Sequence, residues 1–423
     1  MPEQTLAAPI ENDREKERGF SRYQTGLIAM LAMVQFTLIV DFVIMSPLGA
    51  ILMPALDISP AQFGMAVSVY AFSAGISGVL AAGFADSFDR KRLLLLFYAG
   101  FTTGTVLCAL APNYHVLMLG RIVTGLFGGV VGSTVLAIIT DLFPLQLRGR
   151  AMGYIQTAFA ASQVLGIPFG LFLANRWNWH VAFGAIVMLA LAVMAAILLF
   201  MQPVNAHLAL KHEKNAFAHL IATVAEPNYT LAFGVTTLLA TGGYMLMPFG
   251  SAYTVHNLGI DIAHLPTIYL VSGLFSIFIG PLVGRASDAF GKFQTFMFGT
   301  TMSIVMVLIY THLGQVGLTL VIVVNVLMFV GIFSRMIPSQ ALISAIPVPQ
   351  QRGSFSSNGA SLQQLSGGLG SVFAAAIIAQ NADGSLQHFD RLGYVVVGTS
   401  LVALLAMYFV QRQVARKIGR ADV

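Results

Sequence analysis

Twelve long apolar runs, separated by short polar connections, dominate the chain. A helix needs about 20 apolar residues to cross a hydrocarbon layer of about 30 Å. Helices satisfy their own backbone in lipid, and these runs lack the strict alternation of barrel strands. We therefore predict an all-α membrane protein whose spans, one to twelve, are approximately 25–52, 62–84, 93–111, 116–142, 151–174, 181–201, 229–255, 265–286, 294–312, 316–343, 354–380 and 392–411.

Composition excludes other classes of protein. Of the 423 residues, 57% are hydrophobic and 9% are charged, against roughly 25% charged in a typical soluble domain. This argues against a soluble enzyme, a disordered chain and a coiled coil. The single cysteine, Cys108, excludes a disulfide framework and a cysteine-based zinc site. The net charge of +5 comes from basic residues that flank the apolar runs, so we expect a lipid bilayer and not nucleic acid as a partner.

The placement of lysine and arginine predicts the orientation. Outside the spans, nearly all basic residues fall on the side that holds both termini, and the other side has only Arg176 and Arg391. By the positive-inside rule, both termini are cytoplasmic. No cleavable signal peptide precedes the first span, and we expect a multi-pass protein of the plasma membrane, the inner membrane of a bacterium. The predicted regions are a cytoplasmic tail (1–24), a six-helix bundle (25–201), a cytoplasmic central loop (202–228), a second six-helix bundle (229–411) and a cytoplasmic tail (412–423).

The two halves repeat each other. Asp86 follows span two as Asp288 follows span eight, and an Arg-Gly pair opens both span five and span eleven, at nearly the same displacement. Two parallel six-helix repeats would produce such a displacement, although two offsets alone leave coincidence open.

Several motifs resemble those of the major facilitator superfamily. The segment from Ala82 to Arg92 is similar to the family's loop signature, and the segment from Gly284 to Lys292 is a second copy. Gly120 and Arg121 in span four resemble its intramembrane arginine motif. In span five, Gly166, Pro168 and Gly170 resemble the antiporter motif of drug:proton exporters. The resemblance covers essentially the whole chain, is strongest to the twelve-helix drug:proton and sugar efflux branch, and implies the major facilitator fold of two six-helix pseudo-repeats.

This resemblance also implies contacts and a gate. Small-residue stripes on spans two, five, eight and eleven suit close approach, and helix two should meet eleven while five meets eight. Asp86 should cap span eleven, Arg90 should pair with Asp141, and Asp288 should have the mirrored role. These groups would hold the cytoplasmic gate closed. A solvated surface cluster of charges is the alternative.

Asp41 is the only acidic residue well inside a span. A charge there costs about 2.5–3.5 kcal/mol or more, so it normally faces a cavity or a partner. Arg121 lies at an overlapping depth and is the candidate partner. The residues leave two roles open, a structural salt bridge and a protonation switch that couples transport to protons. Arg335 in span ten is too far from Asp41 to pair with it, and we expect it to anchor on a helix carbonyl or a lipid headgroup.

The resemblance implies a central cavity between spans one, four, seven and ten. Its polar or aromatic candidates, including two from spans five and eleven, are Gln35, Tyr244, Gln163, Asn325, Phe329 and Gln364. The Met, Phe and Leu around them suit an amphipathic organic molecule, although plain packing is the more common explanation for such residues. No histidine pair suggests a metal, and we expect no cofactor. Because no P-loop is present, energy should come from a gradient.

The combined interpretation is a monomeric, proton-coupled secondary transporter that exports small organic compounds such as drugs or sugars by alternating access. Two alternatives remain: a proton-coupled uptake symporter for a small solute, and a non-transporting membrane receptor with the same fold. An enzyme is not expected, since no nucleophile–base or metal cluster appears in the sequence.

Overall fold

The computed structural model describes residues 20–81, 84–205, 208, 223–348 and 351–418. Within these ranges the side chains of seven residues are not described: Asp86, Leu145, Gln146, Arg352, Gly353, Lys417 and Ile418. Most of the predicted amino-terminal tail and central loop lies outside the described residues. Of the basic residues in these two segments that contributed to the predicted orientation, Arg22 is described, whereas Arg14, Lys16, Arg18, Lys211 and Lys214 lie outside the described residues.

Eleven helices of the described part are long and apolar enough to cross a membrane. Numbered as spans one to ten and twelve, they are Arg22–Ile44, Pro60–Ala81, Arg90–Ala109, Tyr114–Leu142, Leu147–Arg176, Trp179–Phe200, Pro227–Asn257, Ile262–Phe290, Lys292–His312, Leu318–Ser344 and Phe389–Arg416. The predicted all-α membrane fold is confirmed.

The helix Arg352–Ile377, span eleven, is as long as the others but less apolar, because serine, glutamine and glycine replace aliphatic residues along it. It packs along span two and span seven, so its polar face meets protein. It ends three residues before the predicted limit of 380. The chain there turns into two-residue antiparallel strands, Ala379–Gln380 and Leu386–Gln387.

Span one also ends earlier than predicted. The sequence indicated one helix over 25–52, but the structure has a helix to Ile44, a turn and a separate short helix, Gly49–Leu56. Pro47 lies in the turn. Proline has no backbone N–H and disfavours helical geometry at the residue before it, so continuous hydrophobicity does not produce a continuous helix here.

Close helix pairs recur in the two bundles. Span four approaches span three where Gly104 faces Thr124 and Gly120 faces Cys108. In the second bundle, span ten approaches span nine where Gly299 faces Ser334 and Gly331 faces Ser303. A β-carbon at these glycines would collide with the partner, which is how small residues let helices approach in lipid. (The second bundle has its pair at the equivalent helices, as a repeat should.)

The two bundles meet through spans two and eleven and through spans five and eight, as predicted. We call the side where span one begins and span twelve ends the tail side. Toward the opposite side, Gly64 faces Ala375 and Gly273 faces the backbone of Gln163. Further toward the tail side, a β-carbon added at Gly280 or Gly284 of span eight would meet no neighbouring atom within 4 Å. Spans five and eight therefore diverge toward the tail side, and only part of the predicted stripe on span eight is in contact.

Polar contacts close the opposite side. The Ser251 hydroxyl donates to the Ser46 carbonyl at 2.9 Å, joining span seven to the turn after span one. Asn175 Nδ2 donates to the Ile262 carbonyl at 3.0 Å, joining spans five and eight. Contacts between the bundles on this side, with separation of spans five and eight on the other, describe a conformation that opens toward the tail side.

Candidate functional site

An ion pair lies inside the first bundle. Arg121 Nη1 of span four is 2.7 Å from Asp41 Oδ2 of span one, and it also donates to the Asp41 carbonyl at 3.1 Å. Thr105 of span three donates its hydroxyl to Asp41 Oδ1 at 3.2 Å. Both charged side chains have 0% exposure. The carboxyl thus contacts side chains of its own bundle and does not face the lipid.

Glycine packing brings the pair together. Because Gly104 and Gly120 let spans three and four approach closely, the long Arg121 side chain reaches across to span one. The Tyr70 ring of span two lies over the guanidinium, 4.5 Å from its carbon to the ring centroid. Two guanidinium nitrogens, Nε and Nη2, are buried without a hydrogen-bond partner among the described residues. The Asp41 carboxylate and the Tyr70 ring are therefore the main compensation for this buried charge.

Three aromatic rings extend from this pair toward the second bundle. Phe42 stacks on Tyr70 at 5.0 Å between ring centroids, and its ring is 5.8 Å from that of Tyr244 in span seven. The carbonyl of Tyr244 accepts a hydrogen bond from Ser371 of span eleven at 3.3 Å. We call Phe42, Tyr70 and Tyr244 the aromatic bridge. It joins the two bundles beside Asp41, which has no exposed surface in this conformation.

The antiporter-like motif packs against the helix that carries Asp41. Span five contains a π-helical turn, Ser162–Gly166, which ends just before Pro168. A proline removes one backbone donor, and π turns often lie at functional positions. A β-carbon at Gly166 would overlap Val40, and one at Gly170 would overlap Ile44. The motif glycines thus let span five approach span one on both sides of Asp41.

On the tail side, Arg90 Nε is 2.9 Å from Asp141 Oδ2, and Arg90 Nη1 donates to the Ala85 carbonyl at 3.0 Å. The structure brings this predicted pair together. The Asp86 side chain lies outside the described residues. The Asp288 side chain is 81% exposed, and its ion pair is with Lys292 of the next helix at 4.0 Å. The gating roles of all four residues remain predictions.

The predicted cavity residues differ in what they contact. Only Tyr244 has a described contact beside the ion pair, through Phe42. Asn325 donates to a carbonyl of its own helix, and Phe329 stacks on Phe333 in the same span. Gln163 is buried, with its backbone against span eight, whereas the others, Gln35 and Gln364, are half-buried.

Sequence reasoning missed the groups that surround the pair. Thr105 contacts Asp41, Tyr70 lies over Arg121, and Phe42 stacks on Tyr70. None of the three is charged or belongs to a motif quoted above. Arg335 was expected on a helix carbonyl or a lipid headgroup. The structure instead has its Nη1 donating to the Ser400 hydroxyl of span twelve at 3.2 Å. Within the described part of the chain, no group of three or more His, Cys, Asp or Glu side chains could hold a metal ion.

Two helical bundles that are in contact on one side and separate at spans five and eight on the other are an arrangement typical of membrane transporters. The family model of the Major Facilitator Superfamily matches residues 31–375, so the chain belongs to that superfamily. It is a membrane transporter and not an enzyme.

Relatives with curated names agree with this assignment. The chain is 25% identical to the uncharacterized MFS-type transporter YbcL of Bacillus subtilis (strain 168), over 93% of this chain and 98% of that protein. It is 26% identical to a probable sugar efflux transporter of Haemophilus influenzae (strain PittGG), over 54% of this chain and 57% of that protein.

Two solved structures have the same fold. A bacterial homologue of the human lysosomal transporter Spinster, inward-facing and unoccupied, matches with a TM-score of 0.73 and 16% identity, over 94% of this chain and 99% of that one. A mutant of the nucleoside transporter NupG matches with a TM-score of 0.73 and 13% identity, over 92% of this chain and 100% of that one.

Proposed function

We propose that this transporter exports small organic compounds in exchange for protons, by alternating access between its two bundles. The observation that carries the proposal is the Asp41–Arg121 pair, with both side chains at 0% exposure and 2.7 Å between charged atoms. A buried carboxylate held by one arginine can be neutralised by one proton. That event leaves the arginine charge buried without its counter-charge, which is costly.

This cost links protonation to movement. When Asp41 takes up a proton, its bond to Arg121 loses the charge–charge attraction, and the guanidinium nitrogens Nε and Nη2 already lack partners among the described residues. A conformation that gives Arg121 water or another acceptor then becomes favoured. Loss of the proton restores the pair and the conformation described above.

Access to Asp41 requires the aromatic bridge to open. Phe42, Tyr70 and Tyr244 cover the pair and connect the bundles, so relative movement of the bundles separates rings that now touch. We infer that substrate entering between the bundles and water reaching Asp41 use this same opening. The ion pair of Arg90 with Asp141 would then help to hold the tail side in one of the two states.

Export is favoured over uptake on two grounds. Gly166 and Gly170, which belong to the segment that resembles the antiporter motif of drug:proton exporters, pack against span one beside Asp41. One relative is named a probable sugar efflux transporter. We further propose that the protein works as a monomer in the plasma membrane, the inner membrane of a bacterium, with both termini cytoplasmic.

Proton coupling is tested with purified protein in liposomes that enclose a pH-sensitive dye. Panels of cationic dyes, drugs, sugars and organic anions are added under an imposed pH gradient, and substrate-induced proton movement is recorded. Asp41→Asn should abolish that movement while the protein still elutes as a folded species. Asp57→Asn is the matched control, because Asp57 is an exposed carboxylate at the end of the short helix Gly49–Leu56.

The direction of proton movement separates export from uptake. Exchange predicts that protons move against the substrate, and symport predicts that they move with it. Proton movement that is equal in Asp41→Asn and in the wild type would remove Asp41 from the mechanism. Absence of any flux across all panels, in liposomes that hold their pH gradient, would favour a non-transporting receptor.

A further inference from the structure

The second bundle contains a charge that the proposed coupling does not use. Arg335 lies in span ten about nine residues before Ser344, or about 14 Å from the tail-side end at a helical rise of about 1.5 Å. Charged side chains at such depth are costly and usually mark a functional group or its partner.

The positive charge of Arg335 has far fewer compensating contacts than that of Arg121. Its Nη1 donates to Ser400 Oγ at 3.2 Å, and a guanidinium carries five N–H donors. Among the ion pairs of the described residues, none involves Arg335. Ser400 is neutral. Among the described residues of the second bundle, no acidic side chain therefore compensates the positive charge of Arg335.

The unused donors of Arg335 are accessible. Its side chain is partly exposed, and none of its nitrogens is among the buried atoms without a hydrogen-bond partner. Arg121, in contrast, is sealed and has two such nitrogens. Span ten packs beside span eight, which diverges from span five toward the tail side at Gly280 and Gly284. Arg335 itself contacts Ser400 of span twelve, so its guanidinium lies inside the second bundle, on a helix that packs beside span eight.

A cation with free donors is a suitable environment for oxygen atoms that carry negative charge. A neutral ligand would leave the charge uncompensated.

We propose that Arg335 binds an anionic group, a carboxylate or a phosphate, of the transported compound. This inference rests on the proposed function, because it names the chemical class of the substrate. A guanidinium binds two oxygens of a carboxylate or phosphate side by side, which gives orientation as well as attraction. The phosphate of a lipid headgroup has the same chemistry. We assign the site to a soluble organic anion because Arg335 lies well inside the span.

The test measures ligand-induced stabilisation of the purified protein in detergent. Cys108 is the only cysteine and is buried, so its reaction with a fluorogenic maleimide reports unfolding. The probes are benzoate and benzyl phosphate, each compared with neutral benzamide. A ligand that binds only the folded state raises the unfolding midpoint, and we expect a rise of at least about 2 °C with at least one anionic probe and none with benzamide.

Variants assign the effect to the site. Arg335→Gln should lose the shift, Arg335→Lys should keep part of it, and Arg412→Gln should keep all of it. Arg412 is the matched control, since it is an exposed arginine at the tail-side end of span twelve. The unfolding midpoint of each variant without ligand is the reference for its shift, and it also shows whether the substitution changes the stability of the fold.

Three results would overturn the proposal: no shift with either anion, an equal shift with benzamide, or a shift that persists in Arg335→Gln. Phosphatidylglycerol is tested in the same assay. A shift that depends on Arg335 but appears only with this lipid, and with neither benzoate nor benzyl phosphate, would assign the site to lipid and also reject a solute anchor. These outcomes are independent of proton coupling. The Asp41→Asn flux experiment can fail while anion binding at Arg335 remains, and anion binding can be absent while Asp41→Asn still abolishes proton movement.

Discussion

The Asp41–Arg121 pair makes a quantitative prediction about stability. Replacing Asp41 with asparagine leaves the Arg121 guanidinium fully buried without a counter-charge, since its Nε and Nη2 have no other partner among the described residues. Removing one member of a buried pair costs about 3–5 kcal/mol. Arg121→Gln should cost a similar amount, because it leaves the Asp41 carboxylate with only the weaker bond from Thr105.

The double variant separates the pair from its members. Asp41→Asn with Arg121→Gln removes both charges, so neither is left uncompensated. We expect the double variant to be less destabilised than the sum of the single variants by about 2–3 kcal/mol, within the range of couplings measured for residues in contact. Tyr70 would then pack on a neutral amide, which accounts for part of the remaining loss.

Equilibrium unfolding in mixed micelles, followed by circular dichroism, measures the four free energies of unfolding. Asp57→Asn again serves as the control for a carboxylate-to-amide change, and its exposure predicts a change within about 0.5 kcal/mol. Losses that add to within about 0.5 kcal/mol would refute the reasoning, because independent sites behave that way. The pair would then be a contact without energetic coupling, and protonation of Asp41 would not drive movement.

Two further predictions concern the surroundings of the pair. Gly170→Ala places a methyl group on Ile44, so it should cost about 1–3 kcal/mol of unfolding free energy and slow transport. Gly184→Ala is the control, because open space surrounds Gly184, and it should change neither property. Equal effects of the two substitutions would contradict the packing role of Gly170. Tyr70→Phe should keep the aromatic ring over Arg121 and retain most of the unfolding free energy. Tyr70→Leu removes the ring and should lose about 0.5–2 kcal/mol in the same unfolding assay. Identical losses in the two variants would show that the Tyr70 hydroxyl, and not its ring, stabilises the protein.

Hydrophobic run length was enough to predict most of the fold, and it failed where proline or polarity changed the local rules. It placed the helices of both bundles but extended span one through Pro47, because hydrophobicity does not register a missing backbone donor. Span eleven shows the converse: its serines and glutamines make it less apolar, yet it packs between spans two and seven. This segment was predicted as one of the twelve apolar runs, although it is less apolar than the other spans.

Depth along the helices was sufficient to match Asp41 with Arg121, because only one acid lies well inside a span. The residues around them could not be found in this way. Whether Thr105 or Tyr70 faces the pair depends on the rotation of each helix about its axis. Close contacts at Gly104 and Gly120 fix spans three and four, and a close contact at Gly125 fixes span two against span four. The separation of the bundles on the tail side could not be predicted either, since an alternating-access protein has at least two arrangements for one sequence.

The two bundles have equivalent close helix pairs, spans three and four in the first and spans nine and ten in the second, but they differ in buried charge. The first encloses Asp41 with Arg121 and is neutral at its centre, while the second has Arg335, which forms no ion pair with any described acid. Under the proposed mechanism, a proton taken up by Asp41 would act directly on the first bundle, and an anionic ligand at Arg335 would act directly on the second. The aromatic bridge from Phe42 to Tyr244 is the described contact between them nearest to the ion pair. Coupling would thus arise because each event alters a different bundle, and both must be satisfied by one relative movement of the two.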